Sequence, residues 1–399
     1  MKSKWFNLLK QLRSRKVRII LNFLPIQSGG GLQNALSFIS NLPYDSRILC
    51  LARYRSDIDN SLRARGFMVL VARNNASSRM VIELLVSILA VRGTVCFTLF
   101  GPRPIGSHRL YNIAGFAYSN LLYPECDFWG WCGSLDKMRR RLIDYYRFWS
   151  AKTCDELIFE TDALFHKAKK NLEFRNTVLH VVHMAPSAVM ASASDLDDGV
   201  GRAIDQLSKR DLAIILYLSS AHPNKRIHLL PDILAADSSK KFAFAVTLPA
   251  DHWYTREIYS KAESYGVVDR LINLGPIPSS QVGCVLDRAA GVINIARLES
   301  FSNNWVEAWA TSKPLIVTDA DWARSSCREG ACYIDPDKPG DAALQISRVL
   351  LDEQVRETLV KSGKTILLSY PTPDQKTRQM LEIINKRIVI NIGEEASSR

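Results

Sequence analysis

The sequence predicts an α/β protein of two lobes, each a parallel sheet covered by helices. Three observations carry this expectation. The chain has 399 residues, and one compact domain usually takes roughly 100–200. Short β-branched runs alternate with longer amphipathic segments, which is the pattern of βαβ units. The composition also breaks between Ser187 and Lys209, where SAVMASASDLDDGVG is small, acidic and short of aromatics. The boundaries that follow are a first domain over residues 1–185, a linker over 186–209 and a second domain over 210–372. A closing helix and tail over 373–399 are placed to return to the first domain.

The first lobe begins with a basic segment. Trp5, Phe6, Leu8, Leu9 and Leu12 fall on one side of a helix, and Lys2, Lys4, Lys10 and Arg13 fill most of the rest. Such a segment either lies on an anionic membrane surface or packs on its own lobe. From Val17 the strands are expected at 17–23, 46–51, 68–72, 94–99, 156–160 and 178–183, and the helices at 31–41, 79–91, 135–151 and 162–170. The most apolar stretch, 80–100, contains Glu83, Arg92 and Gly93. It reads as a helix followed by a buried strand, not as a membrane span. Residues 17–24 run straight into a glycine loop, as a first parallel strand does and a signal peptide does not.

In the second lobe the strands are expected at 212–218, 242–246, 271–274, 291–295, 314–318 and 332–334. Helices fall between them at 227–235, 253–265, 281–290, 304–311 and 341–351, with a final one at 373–386. No short repeat is present. The eight cysteines form no CxxC pair and no Cys/His metal spacing, which is the usage of reduced thiols in a cytoplasmic protein. With 52 Lys and Arg against 40 Asp and Glu, the net charge is +12. That surface suits polyanions such as anionic lipid or phosphorylated substrates. No long basic tract or nucleic-acid module accompanies it, so nucleic acid is not an expected partner.

Three features carry chemistry. Gly29, Gly30 and Gly31 follow the first strand and precede a helix. They are either a plain turn or a cradle where backbone N–H groups meet a phosphate or an acceptor. The run SSAHPNKR, residues 219–226, follows the first strand of the second lobe, at the end of the sheet where ligands bind in open α/β folds. Lys225 and Arg226 there are either a solvated basic turn or the cations that neutralise a diphosphate. Glu299 and Glu307 stand eight positions apart in ESFSNNWVE, the first in a loop and the second about one turn into a helix. A carboxylate at Glu307 can accept hydrogen bonds from two vicinal hydroxyls, as on a ribose.

Here the residues carry a resemblance. ESFSNNWVEAWATSKPLIVTDA resembles the E-x7-E signature of the retaining glycosyltransferases of the GT-B fold, the group 1 or family 4 type. LINLGPIPSSQV, ACYIDPDKP, HPNK and GGGLQNAL resemble further segments of that family, over roughly Val17 to Leu351. The resemblance implies two Rossmann-like domains with parallel sheets facing a central cleft. It implies that Glu307 binds the donor ribose, that Glu299 lies beside the donor sugar, and that Phe301, Ser302 and Asn303 meet the diphosphate by backbone groups. Lys225 and Arg226 join them, and the loop from Gly275 to Ile277 holds the base. Where many members carry an arginine five residues before the lysine, this chain has Ser220, and Arg226 replaces a frequent glycine.

The implied activity is transfer of a sugar from a nucleotide sugar to a glycan acceptor with retention, without cofactor or metal. The basic N-terminus and the family suggest an acceptor linked to polyprenyl diphosphate, at the inner face of a bacterial cell membrane, in lipopolysaccharide O-antigen or capsule synthesis. The competing readings are a GT-B-fold epimerase and a non-catalytic protein that binds sugar nucleotides. Transfer of sugar, as against binding alone, separates them.

Overall fold

The protein is described by a computed structural model over residues 17–186 and 198–397. The basic segment with Trp5, Phe6, Leu9 and Leu12, and residues 187–197 of the linker, lie outside the described residues. The first half of the chain runs β1 (Ile19–Asn22), α1 (Gly29–Asn41), β2 (Ile48–Arg53), α2 (Asp57–Ala64), β3 (Met68–Ala72), α3 (Ala76–Leu89), β4 (Val95–Thr98), β5 (Tyr111–Phe116), α4 (Ser134–Lys152), β6 (Glu156–Phe159), α5 (Asp162–Lys170) and β7 (Val178–Val181). The second half runs α6 (Asp198–Ser208), β8 (Ala213–Tyr217), α7 (Leu230–Ala236), β9 (Phe242–Val246), α8 (Trp253–Ser264), β10 (Leu271–Asn273), α9 (Val282–Asp287), β11 (Gly291–Asn294), α10 (Asn303–Ala310), β12 (Leu315–Thr318), α11 (Asp321–Cys327), β13 (Cys332–Ile334), α12 (Pro339–Leu351), α13 (Glu353–Ser369) and α14 (Pro373–Ser397).

The described residues divide into two compact units. One gathers those within Met1–Leu122, Gly133–Ala185 and Pro371–Arg399, the other those within Tyr123–Cys132 and Pro186–Tyr370. The first unit holds a seven-stranded sheet in the order β3-β2-β1-β4-β5-β6-β7, parallel throughout. Its inner strands, such as IILN and VCFT, are buried at every position, as expected of a parallel sheet covered on both faces. The second unit holds a six-stranded sheet in the order β10-β9-β8-β11-β12-β13, also parallel. Both sheets have the Rossmann-like alternation the sequence predicts.

Helix starts follow local capping chemistry. Ser56 accepts from the Asp59 N–H, Asn75 from that of Ser78, and Thr161 from that of Leu164, each satisfying a donor the first turn leaves open. The structure adds elements that the sequence reading passed over. β5, YNIAGF, carries a glycine and a polar residue and so lacks a clean strand pattern. Gly115 is required there, because a Cβ would stand 1.9 Å from the Leu99 carbonyl oxygen. α2 is eight residues long and buries few apolar side chains, too few to show a helical period. α13 joins the second unit by a close approach: a Cβ at Gly363 would meet the Trp309 ring at 2.2 Å. The three glycines at 29–31 are the first turn of α1, not a loop before it.

α14 packs within the first unit. Met380, Leu381, Ile384 and Ile388 enter the core formed by Phe38, Phe97 and the β1–β4 side chains. Its first turn also carries a buried charge: Lys376 donates to Glu160 at 2.8 Å and to Asn34 at 3.1 Å. Both Lys376 and Glu160 are nearly inaccessible. Losing one partner of such a pair leaves the other charged and buried, which costs about 3–5 kcal/mol. Lys376→Ala is therefore expected to lower the urea midpoint sharply, by an amount equivalent to about 3–5 kcal/mol. Lys376→Met with Glu160→Leu should recover most of that loss. Equal midpoints for wild type and Lys376→Ala would show that the pair does not hold α14 in place.

Candidate functional site

The site residues of the second unit gather at the carboxyl ends of β8 and β11. After β8, His222 accepts the Asn224 N–H at 3.1 Å and so caps one 3-10 turn, Pro223–Lys225. Amide side chains then tie this loop to the one after β11. Asn224 Nδ2 donates to the Leu298 carbonyl at 2.8 Å, and the Arg297 N–H donates to the Asn224 carbonyl at 2.8 Å. Asn304 Nδ2, in α10, donates to the Leu218 carbonyl at 2.8 Å. Tyr217 Oη donates to the Lys225 carbonyl at 2.7 Å. Fixed in this way, Lys225 Nζ forms an ion pair with the Glu299 carboxylate. The two adjacent cations diverge: Arg226, at φ 55°, is buried and pairs with Asp337 from the loop after β13.

The loop from β11 into α10 is built around Asn294, which is fully buried. Its Nδ2 donates to Ser302 Oγ at 2.8 Å, and its Oδ1 accepts the Ala296 N–H at 3.1 Å. Ser302 is the N-cap of α10, yet its hydroxyl makes no cap hydrogen bond. The first turn, beginning at Asn303, thus receives no cap from the Ser302 side chain, and it carries the positive end of the helix dipole. Such helix starts bind phosphate. Phe301 packs on Trp305 at 5.1 Å and on Tyr370 at 5.8 Å, which holds the loop against its own helix.

Glu307 sits in the second turn of α10 and is 8% exposed. Its carboxylate makes no hydrogen bond or ion pair among the described residues. Burial pushes its pKa up from 4.5 to about 7. A buried carboxylate without donors is costly, and hydroxyl groups are one kind of donor able to relieve it.

The remaining sequence candidates fall elsewhere. Gly275 has φ 72° with open space where a Cβ would stand. Its N–H donates to Asn273 Oδ1 at 3.1 Å, and Asn273 Nδ2 donates to the Leu248 carbonyl at 2.9 Å. This anchors the loop through half-buried Ile277 to β9. Gly29, Gly30 and Gly31 belong to the first unit. Gly29 has φ 67° with nothing within 4 Å of a Cβ position, and Ser28 supplies no side-chain cap to α1. Among the described residues, no group of three or more His, Cys, Asp or Glu side chains is placed to hold a metal ion. No described helix is long and apolar enough to cross a membrane.

Sequence reasoning missed the residues that position the site. Asn224, Asn294, Asn304 and Asp337 were not singled out. An asparagine inside the apolar run GVINIA was the one legible signal, since a buried amide implies hydrogen-bonding work. It also missed the segment Tyr123–Cys132, which belongs to the second unit. There Phe128 and Trp131 pack on His222 at 6.0 and 5.2 Å, and Arg297 donates to the Asp127 carbonyl at 3.1 Å. A cavity of about 450 Å³ opens between these residues, Trp253 and Glu257.

With this geometry in view, comparison with known proteins is informative. Residues 203–366 match the family model of glycosyl transferases group 1. No curated protein sequence matches the chain. Among solved structures, HepE from Anabaena, crystallised with UDP and glucose, is 16% identical, with 93% of this chain and 100% of that one covered at a TM-score of 0.67. Sucrose-phosphate synthase from Thermosynechococcus elongatus is 12% identical, with 93% and 99% covered at 0.69. A glycosyltransferase from Rickettsia africae is 12% identical, with 93% and 98% covered at 0.68. At such identities these likenesses are of fold, and the fold is GT-B. Residues 203–366 therefore carry a domain similar to that of the group 1 glycosyltransferases.

Proposed function

We propose that the protein is a retaining glycosyltransferase that needs no metal and takes its sugar from a nucleoside-diphosphate donor. The observation that carries this is Glu307, a buried carboxylate in α10 without a donor partner among the described residues. It lies one turn beyond an uncapped helix start and on the same loop–helix segment as Glu299. In this reading Glu307 accepts both ribose hydroxyls, and backbone groups of Phe301, Ser302 and Asn303 meet the diphosphate. The loop Gly275 to Ile277 holds the base by its backbone. Glu299 faces the donor sugar. Gly29, Gly30 and Gly31 serve the substrate from the first unit. HepE is solved with UDP-glucose, which makes that compound the first donor to test.

Breaking the anomeric C–O bond sends its electron pair to the phosphate. Lys225 stabilises that growing charge, so its effect is larger in the transition state than in the ground state. In the free protein Lys225 is held by Glu299, so an arriving diphosphate replaces one anion by another. Arg226, held by Asp337, adds positive potential from a fixed position. The acceptor hydroxyl attacks the face the phosphate leaves and passes its proton to that phosphate. The acceptor of this reading is a glycan on polyprenyl diphosphate, at the cytoplasmic face of a bacterial membrane, in O-antigen or capsule synthesis. The net charge of +12 supports that anionic setting.

Glu307→Ala should weaken nucleotide-sugar binding by about 2–3 kcal/mol in calorimetry, the range for a hydrogen bond to a charged group. Unchanged affinity in a folded variant would remove Glu307 from the ribose site. The same residue sets a pH signature. Its folded pKa lies above the unfolded one, so the stability it contributes is full below about pH 4.5 and lost as pH rises through about 7. Without ligand, Glu307→Gln should therefore match wild type near pH 4.5 and exceed it above pH 7, by up to about 3 kcal/mol. A gap independent of pH would show that Glu307 is not buried in this way.

Lys225→Ala should lower kcat far more than donor affinity, and Arg226→Ala should cost less. A kcat left intact by Lys225→Ala would assign the leaving-group contact to another cation. Transfer activity is expected to survive EDTA. Loss on chelation, restored by magnesium or manganese, would overturn the metal-free mechanism.

A further inference from the structure

α4 is turned inside out. A helix on a soluble domain normally buries its large apolar residues and exposes its polar ones. The buried residues of α4 are Asp144, Ser150 and Ala151. Asp144 accepts from Asn120 at 2.7 Å and from Arg147 at 3.1 Å within the first unit. Leu135, Met138, Leu142, Tyr145, Tyr146 and Trp149 face outward instead, between 37% and 80% exposed. At 3.6 residues per turn these six fall within one arc of about 100°. The result is a continuous apolar stripe along a nineteen-residue helix, larger than the scattered apolar residues of an ordinary surface.

The charges beside the stripe decide what covers it. Arg139 lies on one flank and Arg141 on the other, both exposed and without an ion-pair partner among the described residues. Neither carboxylate of the helix competes on this face: Asp136 pairs with Arg140, and Asp144 is buried. A stripe of Leu, Met, Tyr and Trp bordered by arginines is the pattern of a helix lying in a lipid interface. There the rings sit at headgroup depth and the guanidinium groups reach up to phosphate. A twofold-related copy of the chain would instead set the same arginines against themselves.

We propose that α4 is the surface by which the protein docks on an anionic bilayer, its apolar stripe immersed and Arg139 and Arg141 on lipid phosphates. This deepens the reading of a membrane-borne acceptor and rests on it for the choice of lipid over protein. It does not depend on the donor site, which lies in the other unit.

The test is flotation of the full chain at low salt with vesicles of phosphatidylglycerol and phosphatidylcholine, or of phosphatidylcholine alone. Wild type should float with the anionic vesicles and stay behind with the neutral ones. Leu142→Glu should cut the bound fraction by about tenfold or more. Arg139→Glu with Arg141→Glu should do the same, since each basic residue near such a surface contributes to binding and its charge is reversed. Both variants should keep the melting temperature and the UDP-glucose thermal shift of wild type, because the changed side chains are exposed. Trp5→Ala with Phe6→Ala should still float. The inference falls if Leu142→Glu floats like wild type, or if wild type binds neither vesicle. It also falls if only the Trp5 and Phe6 changes abolish binding, or if Leu142→Glu turns a dimer into a monomer in solution. Loss of the UDP-glucose shift in wild type would count against the donor reading alone.

Discussion

Asparagine side chains tie the loops after β8 and β11 to one another, and the Lys225–Glu299 ion pair sits on those loops. Asn224 spans to the Leu298 carbonyl and Asn304 to that of Leu218, while Asn294 holds the Ser302 hydroxyl within the second loop. Asn224 and Asn304 act as donors, whereas Asn294 both donates to Ser302 and accepts the Ala296 N–H, so one side chain settles two positions of its loop. The amide ties add to the backbone bond from the Arg297 N–H to the Asn224 carbonyl, which joins the same loops. The Lys225–Glu299 pair forms on loops joined in this way. In the proposed reaction, a charge positioned in this way is of the kind that stabilises a leaving group.

The same ties explain how the fold tolerates an uncapped helix and a buried carboxylate within one turn of each other. Ser302 would ordinarily cap α10, but Asn294 occupies its hydroxyl. Glu307, one turn later, is enclosed by a helix whose Trp305 stacks on Trp322 and whose Trp309 abuts Gly363. Burial itself disfavours the charged form of the glutamate and raises its pKa. Both features cost stability in the free protein, and the dense packing of aromatic rings around α10 offsets them. Local costs of this sort are more often found at functional sites than elsewhere in a fold.

The chain does not keep to one unit at a time. Tyr123–Cys132 leaves the first half of the sequence to join the second unit, and α14 joins the first. In α14 the apolar residues from Met380 to Ile388 supply the burial, and Lys376 with Glu160 supplies the register, because a buried cation has few positions where its partner can reach it. α4 shows the converse arrangement. Its polar side is satisfied inside the unit through Asp144 and Ser150, so its apolar side is left to an outside partner.

The sequence by itself determined the two-lobed parallel architecture, because runs such as VCFT and FAFAV, buried on both faces, alternate with amphipathic segments at a period that only βαβ units satisfy. It also singled out a loop lysine and two glutamates eight apart as candidates, since these need no tertiary knowledge to be noticed. What stayed hidden depends on contacts distant along the chain. β5 was obscured because Gly115 answers to the Leu99 carbonyl, and α2 because eight residues are too few to show a period. That Lys225 meets Glu299 while its neighbour Arg226 turns to Asp337 follows from a left-handed residue and from loops meeting across β8 and β11. The outward face of α4 was equally illegible: its pattern shows an amphipathic helix, and only the packing of Asp144 decides which side faces the protein. Periodicity is written along the chain, whereas the partner of a charge is set by which strands become neighbours.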